Sequence, residues 1–370
     1  MMTILRAKFF RSRLAIDAGL YLVWLLAFVT LTNIWTQGMT EWFGSWSQWD
    51  ARMFERIWDE GFGNDAVTIV FPPGFAYLVG ALSRVMNLPF HIAGMVLNVF
   101  AFFGFAVVSS HVLSRTFQID RTRVYIFTLL SPMSYFAFAC YSDALFALIL
   151  WSLFALALYG VGRRARVAEF LLLFLAPWIR LTGYALAAWL VLRRWCAVAV
   201  LMSLLAWLAL NMFSTGHLLS FLESQKLFLM PEGSIIDGFA YSAGRILPWP
   251  GEGNQEGWST YVEFHVLPLL YLLPLSAIAI MLCRRKHWLL GLTVLSILFV
   301  SHNQAFWRSA VRYDLPLMPF LCLPLLADRP GPNPRQSEFI RGAAFGVIVV
   351  AQFVLQIYFA NTFKQGDWAF

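Results

Sequence analysis

Asp50 is the carboxylate with the widest choice of chemistry. It stands in Trp49-Asp50-Ala51-Arg52-Met53-Phe54-Glu55-Arg56-Ile57-Trp58-Asp59-Glu60-Gly61, at the head of an amphipathic stretch. As a helix N-cap it would accept backbone N–H bonds, worth about 1 kcal/mol. As a general base at a water–lipid boundary it would take a proton from an acceptor hydroxyl. Asparagine caps as well as aspartate but cannot take the proton, so the two roles can coexist and can be separated. Asp143, in Tyr141-Ser142-Asp143, has the same capping alternative at the head of another apolar run. The matching cations are Arg180, within Pro177-Trp178-Ile179-Arg180-Leu181-Thr182-Gly183, and Arg308 and Arg312, within Trp307-Arg308-Ser309-Ala310-Val311-Arg312-Tyr313-Asp314. An arginine at mid-bilayer costs about 2.5–3.5 kcal/mol on insertion scales, so each marks either a snorkelling side chain or an anion site. Guanidinium forks suit phosphate oxygens bidentately.

The elements that must position these groups are apolar. Across 370 residues the chain is 60% hydrophobic, 17% aromatic and only 13% charged, against about 25% charged in ordinary soluble chains. Too few polar side chains remain to cover a solvated surface, which excludes a disordered chain, a coiled coil and a nucleic-acid-binding domain. The expected fold is an all-α integral membrane protein, a single multi-pass domain over 1–370 with about eleven transmembrane helices. Spans are expected near 17–35, 91–113, 123–140, 143–161, 167–179, 181–192, 195–213, 265–283, 287–301, 314–327 and 342–360. The first follows Arg6, Lys8, Arg11 and Arg13 with no small-residue cleavage site behind it, which reads as a retained helix and not a signal peptide.

Lys and Arg gather in short cytoplasmic loops. With the N-terminus inside and the segments alternating, the inner side holds 18 basic and 5 acidic residues, a net +13, and the outer side 9 basic and 15 acidic, a net −6. The basic balance therefore speaks for orientation and anionic headgroups, not for nucleic acid. Outside lie two long loops, 36–90 and 214–264, and a shorter one at 302–313. In the first, Met53, Phe54, Ile57 and Trp58 make one apolar face of a short helix stopped by Gly61, expected to lie in the membrane interface. Trp49 beside it favours the headgroup level. The double proline of Phe71-Pro72-Pro73-Gly74-Phe75 is expected to force extended or turn backbone. In the second, Tyr241, Trp249, Trp258 and Tyr261 suit either an interfacial belt or acceptor-sugar stacking, the belt being favoured. Cys140, Cys196, Cys283 and Cys322 lie far apart with no CxxC pair, and the six histidines are scattered, so neither a disulfide framework nor a zinc site has local support. No nucleotide-binding glycine loop is present.

The order of these motifs resembles the GPI mannosyltransferase II (PIG-V-like) family and its bacterial relatives. Trp49-Asp50, Gly61-Phe62 and Phe71-Pro72 look like its WD…GY…FFPLYP pattern. Tyr141-Ser142-Asp143-Ala144-Leu145-Phe146, preceded by Ser131-Pro132, looks like its Y-[ST]-E-x-L-F. Arg180 to Gly183 looks like its [ST]-R-x-x-G, and Ser309 to Pro316 resembles its late S-x-x-R-y…P segment. The matches cover 45–185 and 305–320, less than half the chain. Asp143 stands for the usual Glu, Ile179 for a small hydroxyl residue, and Pro73-Gly74 for Leu-Tyr.

The resemblance implies a GT-C glycosyltransferase, a multi-helix membrane enzyme that moves a sugar, typically mannose, from a polyprenyl-phosphate donor to a lipid or glycan acceptor. It implies an acidic residue in the first outer loop, and Asp50 matches that position. Independently, a site on the outer face lacks cytoplasmic nucleotide sugars, and a flipped lipid-linked donor answers that need. The expected mechanism is inverting. Asp50 acts as base, Arg180 with Arg312 or Arg308 holds the donor phosphate, and Trp49, Tyr141 and Asp143 orient substrate. With a single phosphate as leaving group and arginines at hand, no metal or other cofactor is expected. A lipid-linked-sugar flippase or secondary transporter is the alternative, but its polar residues would be spread through the helices; a non-catalytic assembly subunit is a third reading. The absence of an N-x-[ST] sequon and the 23 to 4 excess of arginine over lysine lean toward a bacterial plasma membrane, with the site facing outward.

Overall fold

The computed structural model describes residues 2–33, 38–187, 189, 196–225, 267–302, 310–326 and 334–366. Among these the secondary structure is helical throughout, and no strand occurs. In chain order come α1 (Met2–Asn33), α2 (Met39–Gly44), α3 (Asp50–Glu60), α4 (Pro73–Met86), α5 (Phe90–Phe117), α6 (Arg121–Leu129), α7 (Asp143–Tyr159) and α8 (Gly162–Ile179). There follow α9 (Cys196–Thr215), α10 (Ser220–Gln225), α11 (Leu267–Arg284), α12 (Trp288–His302), α13 (Ala310–Tyr313), α14 (Leu323–Leu326) and α15 (Pro334–Lys364).

Four of these are long and apolar enough to cross a membrane: Arg13–Asn33 of α1, α5, α9 and Glu338–Lys364 of α15. Each leaves large apolar side chains exposed, among them Val23 and Leu26 on α1, Phe100 on α5, Leu201 and Leu205 on α9, and Val347, Val350 and Val354 on α15. Such faces are a liability in water and the requirement in hydrocarbon. The chain is a membrane protein on this ground.

Three of the spans expected from hydropathy are not continuous α-helices. The stretch 123–140 divides into α6, a turn, and a 3-10 segment Pro132–Ala137. The stretch after Arg180 begins as a 3-10 segment, Leu181–Ala187, and the one after Asp314 as another, Leu315–Cys322. Pro132, Pro316 and Pro319 explain two of the breaks, because a ring nitrogen has no hydrogen to give the helix ladder. The freed backbone groups find side chains instead: Trp151 Nε1 donates to the Pro316 carbonyl at 2.7 Å, and Ser134 Oγ to that of Thr128 at 2.8 Å. Burial hid these breaks from a hydropathy reading, since Pro132–Ala137 and most of Leu315–Cys322 are as apolar and enclosed as any helix.

Two expectations for the first outer loop change. Its apolar face does not lie free in the interface: Phe54 and Ile57 are buried, and Phe54 packs edge-on to Phe75 of α4 at 4.9 Å. The double proline does not hold the chain extended beyond Pro72; Pro73 occupies the first turn of α4, where a missing N–H costs nothing. Of the second outer loop, residues 214–225 are described and include α10; the rest of it, with Tyr241, Trp249, Trp258 and Tyr261, lies outside the described residues.

α5 packs along α7, and α7 along α8, in the centre of the chain's contacts. α15 closes against α1: Trp24 Nε1 donates to Gln356 Oε1 at 3.3 Å, Gln356 Nε2 to the Leu129 carbonyl at 3.3 Å, and Lys364 Nζ to the Thr32 carbonyl. Phe28 stacks on Phe138 with ring centroids 4.4 Å apart, beneath Trp42 and Trp46. These rings fix the floor on which the polar residues below are set.

Candidate active site

The polar residues gather where helices begin, end or break. Asp50 is the first residue of α3, Asp143 the first of α7, Arg180 follows the last residue of α8, and Arg312 precedes the 3-10 segment after α13. At such points the backbone turns, and side chains project past the helix ends into a shared space.

Neither carboxylate caps its helix. The caps are Trp49 and Ser142, and neither makes a side-chain capping bond. Asp50 Oδ2 lies 2.9 Å from Arg312 Nη2. Asp143 Oδ2 lies 2.6 Å from Arg180 Nη1, and its Oδ1 3.9 Å from Arg312 Nε. The Asp143 contacts are ion pairs by distance, their angles falling outside hydrogen-bond geometry. A chain of alternating charge results: Asp50, Arg312, Asp143, Arg180. Side-chain exposures are 18% for Asp50, 4% for Arg312, 1% for Asp143 and 7% for Arg180. Two charges of each sign, drawn from four segments up to 262 residues apart in sequence, share one enclosed cluster.

Aromatic rings hold the guanidiniums in place. Arg180 lies over the Tyr313 ring at 4.1 Å, and Arg312 lies 5.0 Å from the ring centres of both Tyr141 and Tyr313. Desolvated cation–π contacts of this kind are worth up to about 2 kcal/mol each. Burial works against the charge of Arg312, but Asp50, then Tyr313 and Asp143, raise its hold on the proton further, so the guanidinium stays charged. Arg180 Nη2 and Arg312 Nε have no hydrogen-bond partner among the described residues. Buried donors without acceptors are uncommon and costly.

The turn that presents Asp50 is strained and clamped. Trp49 has φ 48° and ψ −111°, a conformation that costs a non-glycine residue about 1–3 kcal/mol. The buried Tyr141 hydroxyl straddles it, accepting from the Asp50 N–H at 3.3 Å and donating to the Gln48 carbonyl at 3.1 Å. Asn98, buried in α5, donates through one amide group to the carbonyls of Ala139 and Tyr141, both at 2.6 Å. Asn98 thus holds the Tyr141 loop, and that loop holds Asp50. On the far side, a Cβ on Gly183 would stand 2.5 Å from backbone atoms of Ala176 and Pro177, and one on Gly74 2.5 Å from the Trp178 carbonyl. Only glycine lets the chain fold back over the end of α8 and lets α4 press against it, and Arg180 lies between those two contacts.

Of the residues expected from sequence, Asp50, Asp143, Arg180, Arg312 and Tyr141 meet in one place. Trp49 is beside them as the strained residue, 43% exposed. Arg308 lies outside the described residues. Tyr141 bears on the Asp50 turn through its hydroxyl, and Asp143 on the two arginines. Tyr313, Ser142 and Asn98 were not among the expected residues. Ser142 Oγ accepts from Arg180 Nη1 at 3.3 Å. Asn98 carried a usable signal, an amide in the middle of an apolar run. Among the described residues no three His, Cys, Asp or Glu side chains gather as a set of metal ligands.

The exposed Arg163, Arg164 and Arg166 lie at the start of α8, the end opposite Arg180. No family model matches the chain, and neither a curated protein nor a solved structure matches it.

Proposed function

We propose that the protein is a membrane glycosyltransferase of the GT-C type that moves a sugar, mannose by its motif resemblance, from a polyprenyl-phosphate donor to an acceptor hydroxyl. The observation that carries this reading is the Asp50–Arg312–Asp143–Arg180 cluster. It combines a partly exposed carboxylate with two enclosed guanidiniums, each with a donor that has no hydrogen-bond partner among the described residues. A base and a phosphate clamp side by side are what transfer from a sugar phosphate needs.

In this reading Asp50 takes the proton of the acceptor hydroxyl while that oxygen forms a bond to the anomeric carbon with inversion. The carbon–oxygen bond to the phosphate breaks, and its electron pair leaves on polyprenyl phosphate. Arg180 and Arg312 stabilise the charge that grows there, and Arg308 extends the same basic motif. Asp143 sets the spacing of the two arginines through its contacts to both.

Arg163, Arg164 and Arg166 lie at the end of α8 away from Arg180, and by the positive-inside tendency this turns the site outward. That side offers lipid-linked sugars and no nucleotide sugars. A multi-pass bundle of about eleven crossings, in a bacterial plasma membrane, accommodates the four long helices together with the shorter and broken ones. The test is incubation of the purified chain with polyprenyl-phosphate-mannose and a panel of membrane-derived acceptors. Release of polyprenyl phosphate matched by an inverted glycosidic product is the expected result. No sugar transfer to any acceptor, with donor binding absent as well, would remove the proposal.

A further inference from the structure

Arg312 cannot swing to meet a ligand. Its guanidinium is enclosed by Tyr141, Tyr313 and, at 5.9 Å, Phe136, and is 4% exposed, so an anion must come to it. Of the four charged groups, Asp50 is the most exposed, at 18% of its side chain. The open approach to Arg312 therefore runs along its Nη2 edge, and Asp50 Oδ2 already sits there at 2.9 Å. A carboxylate oxygen and a phosphoryl oxygen make the same kind of contact to a guanidinium N–H. Two anions do not share one edge of one cation without a large repulsion.

We infer that Asp50 and the phosphate of the lipid-linked donor compete for Arg312, so that seating the donor is what frees the base. This rests on the transferase reading and adds an order of events to it. While Asp50 Oδ2 is held against Arg312 Nη2 that oxygen is occupied, and once phosphate takes its place it is open to an acceptor hydroxyl. Donor binds first, and acceptor is activated second. The clamp of Tyr141 on the Asp50 backbone keeps the released carboxylate at the site.

The competition has a signature opposite to that of an ordinary binding residue: removing the Asp50 charge tightens phosphate binding. The probe is farnesyl phosphate, titrated by calorimetry into the purified full-length chain in detergent, with farnesol and inorganic phosphate as companion ligands. Asp50→Asn keeps the shape of the side chain, and Asp50→Ala removes it, so either variant serves if the other fails to fold. The expected result is an about tenfold lower Kd for farnesyl phosphate in both variants, about 1.4 kcal/mol, with farnesol unchanged. The same gain with inorganic phosphate assigns the competition to the phosphate group from either source; a gain confined to farnesyl phosphate assigns it to lipid-borne phosphate. Unchanged or weaker farnesyl phosphate binding in the variants, against clear binding by the native chain, overturns the competition and leaves the transferase reading standing. An equal gain with farnesol overturns it too, because the effect would then lie at the tail. Failure of every form to bind farnesyl phosphate removes the transferase reading and this inference together.

Discussion

Tyr141→Phe isolates the clamp on the Asp50 turn. The substitution keeps the ring, and with it the 5.0 Å contact to Arg312, and removes only the hydroxyl that joins the Asp50 N–H to the Gln48 carbonyl. Each of the two lost hydrogen bonds contributes about 0.5–1.5 kcal/mol net. The strain they oppose at Trp49 is of the same size, about 1–3 kcal/mol, so the turn loses most of what holds it at φ 48°. A shift of about 1–2 kcal/mol in this local equilibrium is a factor of roughly 5–30 in the open population. Amide hydrogen exchange followed by mass spectrometry reads that population without any assumption about function. Exchange at Asp50 is expected to quicken by roughly 5- to 30-fold, while amides in the middle of α5 keep their rates. Sugar transfer is expected to fall by a similar factor, with the global melting temperature nearly unchanged. Asp50 exchange at the native rate in Tyr141→Phe would refute the clamp, whatever happened to activity.

Other perturbations bear on neighbouring parts of the site. Arg312→Ala leaves Asp143 buried with one cation and Asp50 with none, and is expected to destabilise the chain by about 3–5 kcal/mol; a loss under about 1 kcal/mol in detergent melts would show that the cluster is not a mutually dependent network. Gly183→Ala places a methyl group 2.5 Å from the backbone of α8, and is expected to cost about 1–3 kcal/mol and to weaken farnesyl phosphate binding through Arg180; a native melt together with native affinity would contradict the close approach. Asp65, paired with Arg56 in the first outer loop, feels an upward push from partial burial that the Thr68 and Val67 amides and the Arg56 guanidinium outweigh, leaving its carboxyl below the usual range. Such a group contributes stability above its unfolded value of about 3.9 and loses it as pH falls through the lower folded value. Both partners are partly exposed, so Asp65→Asn is expected to cost less than about 1 kcal/mol at pH 6, with the gap to the native chain closing below about pH 4; a gap that widened on acidification would reverse the assignment.

Much of the site was legible because its residues are polar exceptions in an apolar chain. Asp50, Asp143, Arg180 and Arg312 stand out where charge is expensive, and α3 shows its length in the spacing from Phe54 to Gly61. What hydropathy could not show was continuity. A run of buried apolar residues scores alike as one crossing helix or as a helix, a turn and a 3-10 segment, and 123–140 proved to be the second. The prolines marked those breaks, at Pro132 and Pro316, more faithfully than the apolar count did. Nor could spacing show which face of α3 met lipid and which met protein, because Phe54 is equally apolar against a hydrocarbon chain and against Phe75. Capping was the natural reading for Asp50 and Asp143 from local sequence, and it gave way to partners 262 and 37 positions distant, Arg312 and Arg180. Long-range charge pairing of that sort leaves no local pattern.

Sugar transfer by Asp50→Asn bears most directly on whether this cluster is catalytic. The native chain and the variant would be compared as monodisperse proteins with equal melting behaviour, using polyprenyl-phosphate-mannose and whichever acceptor the native chain uses. Loss of a general base predicts a fall in turnover of at least about 100-fold, with donor binding no weaker than in the native chain. Turnover within a few-fold of native in a folded Asp50→Asn protein would contradict it, because an amide at that position keeps the shape of the side chain but cannot take the proton.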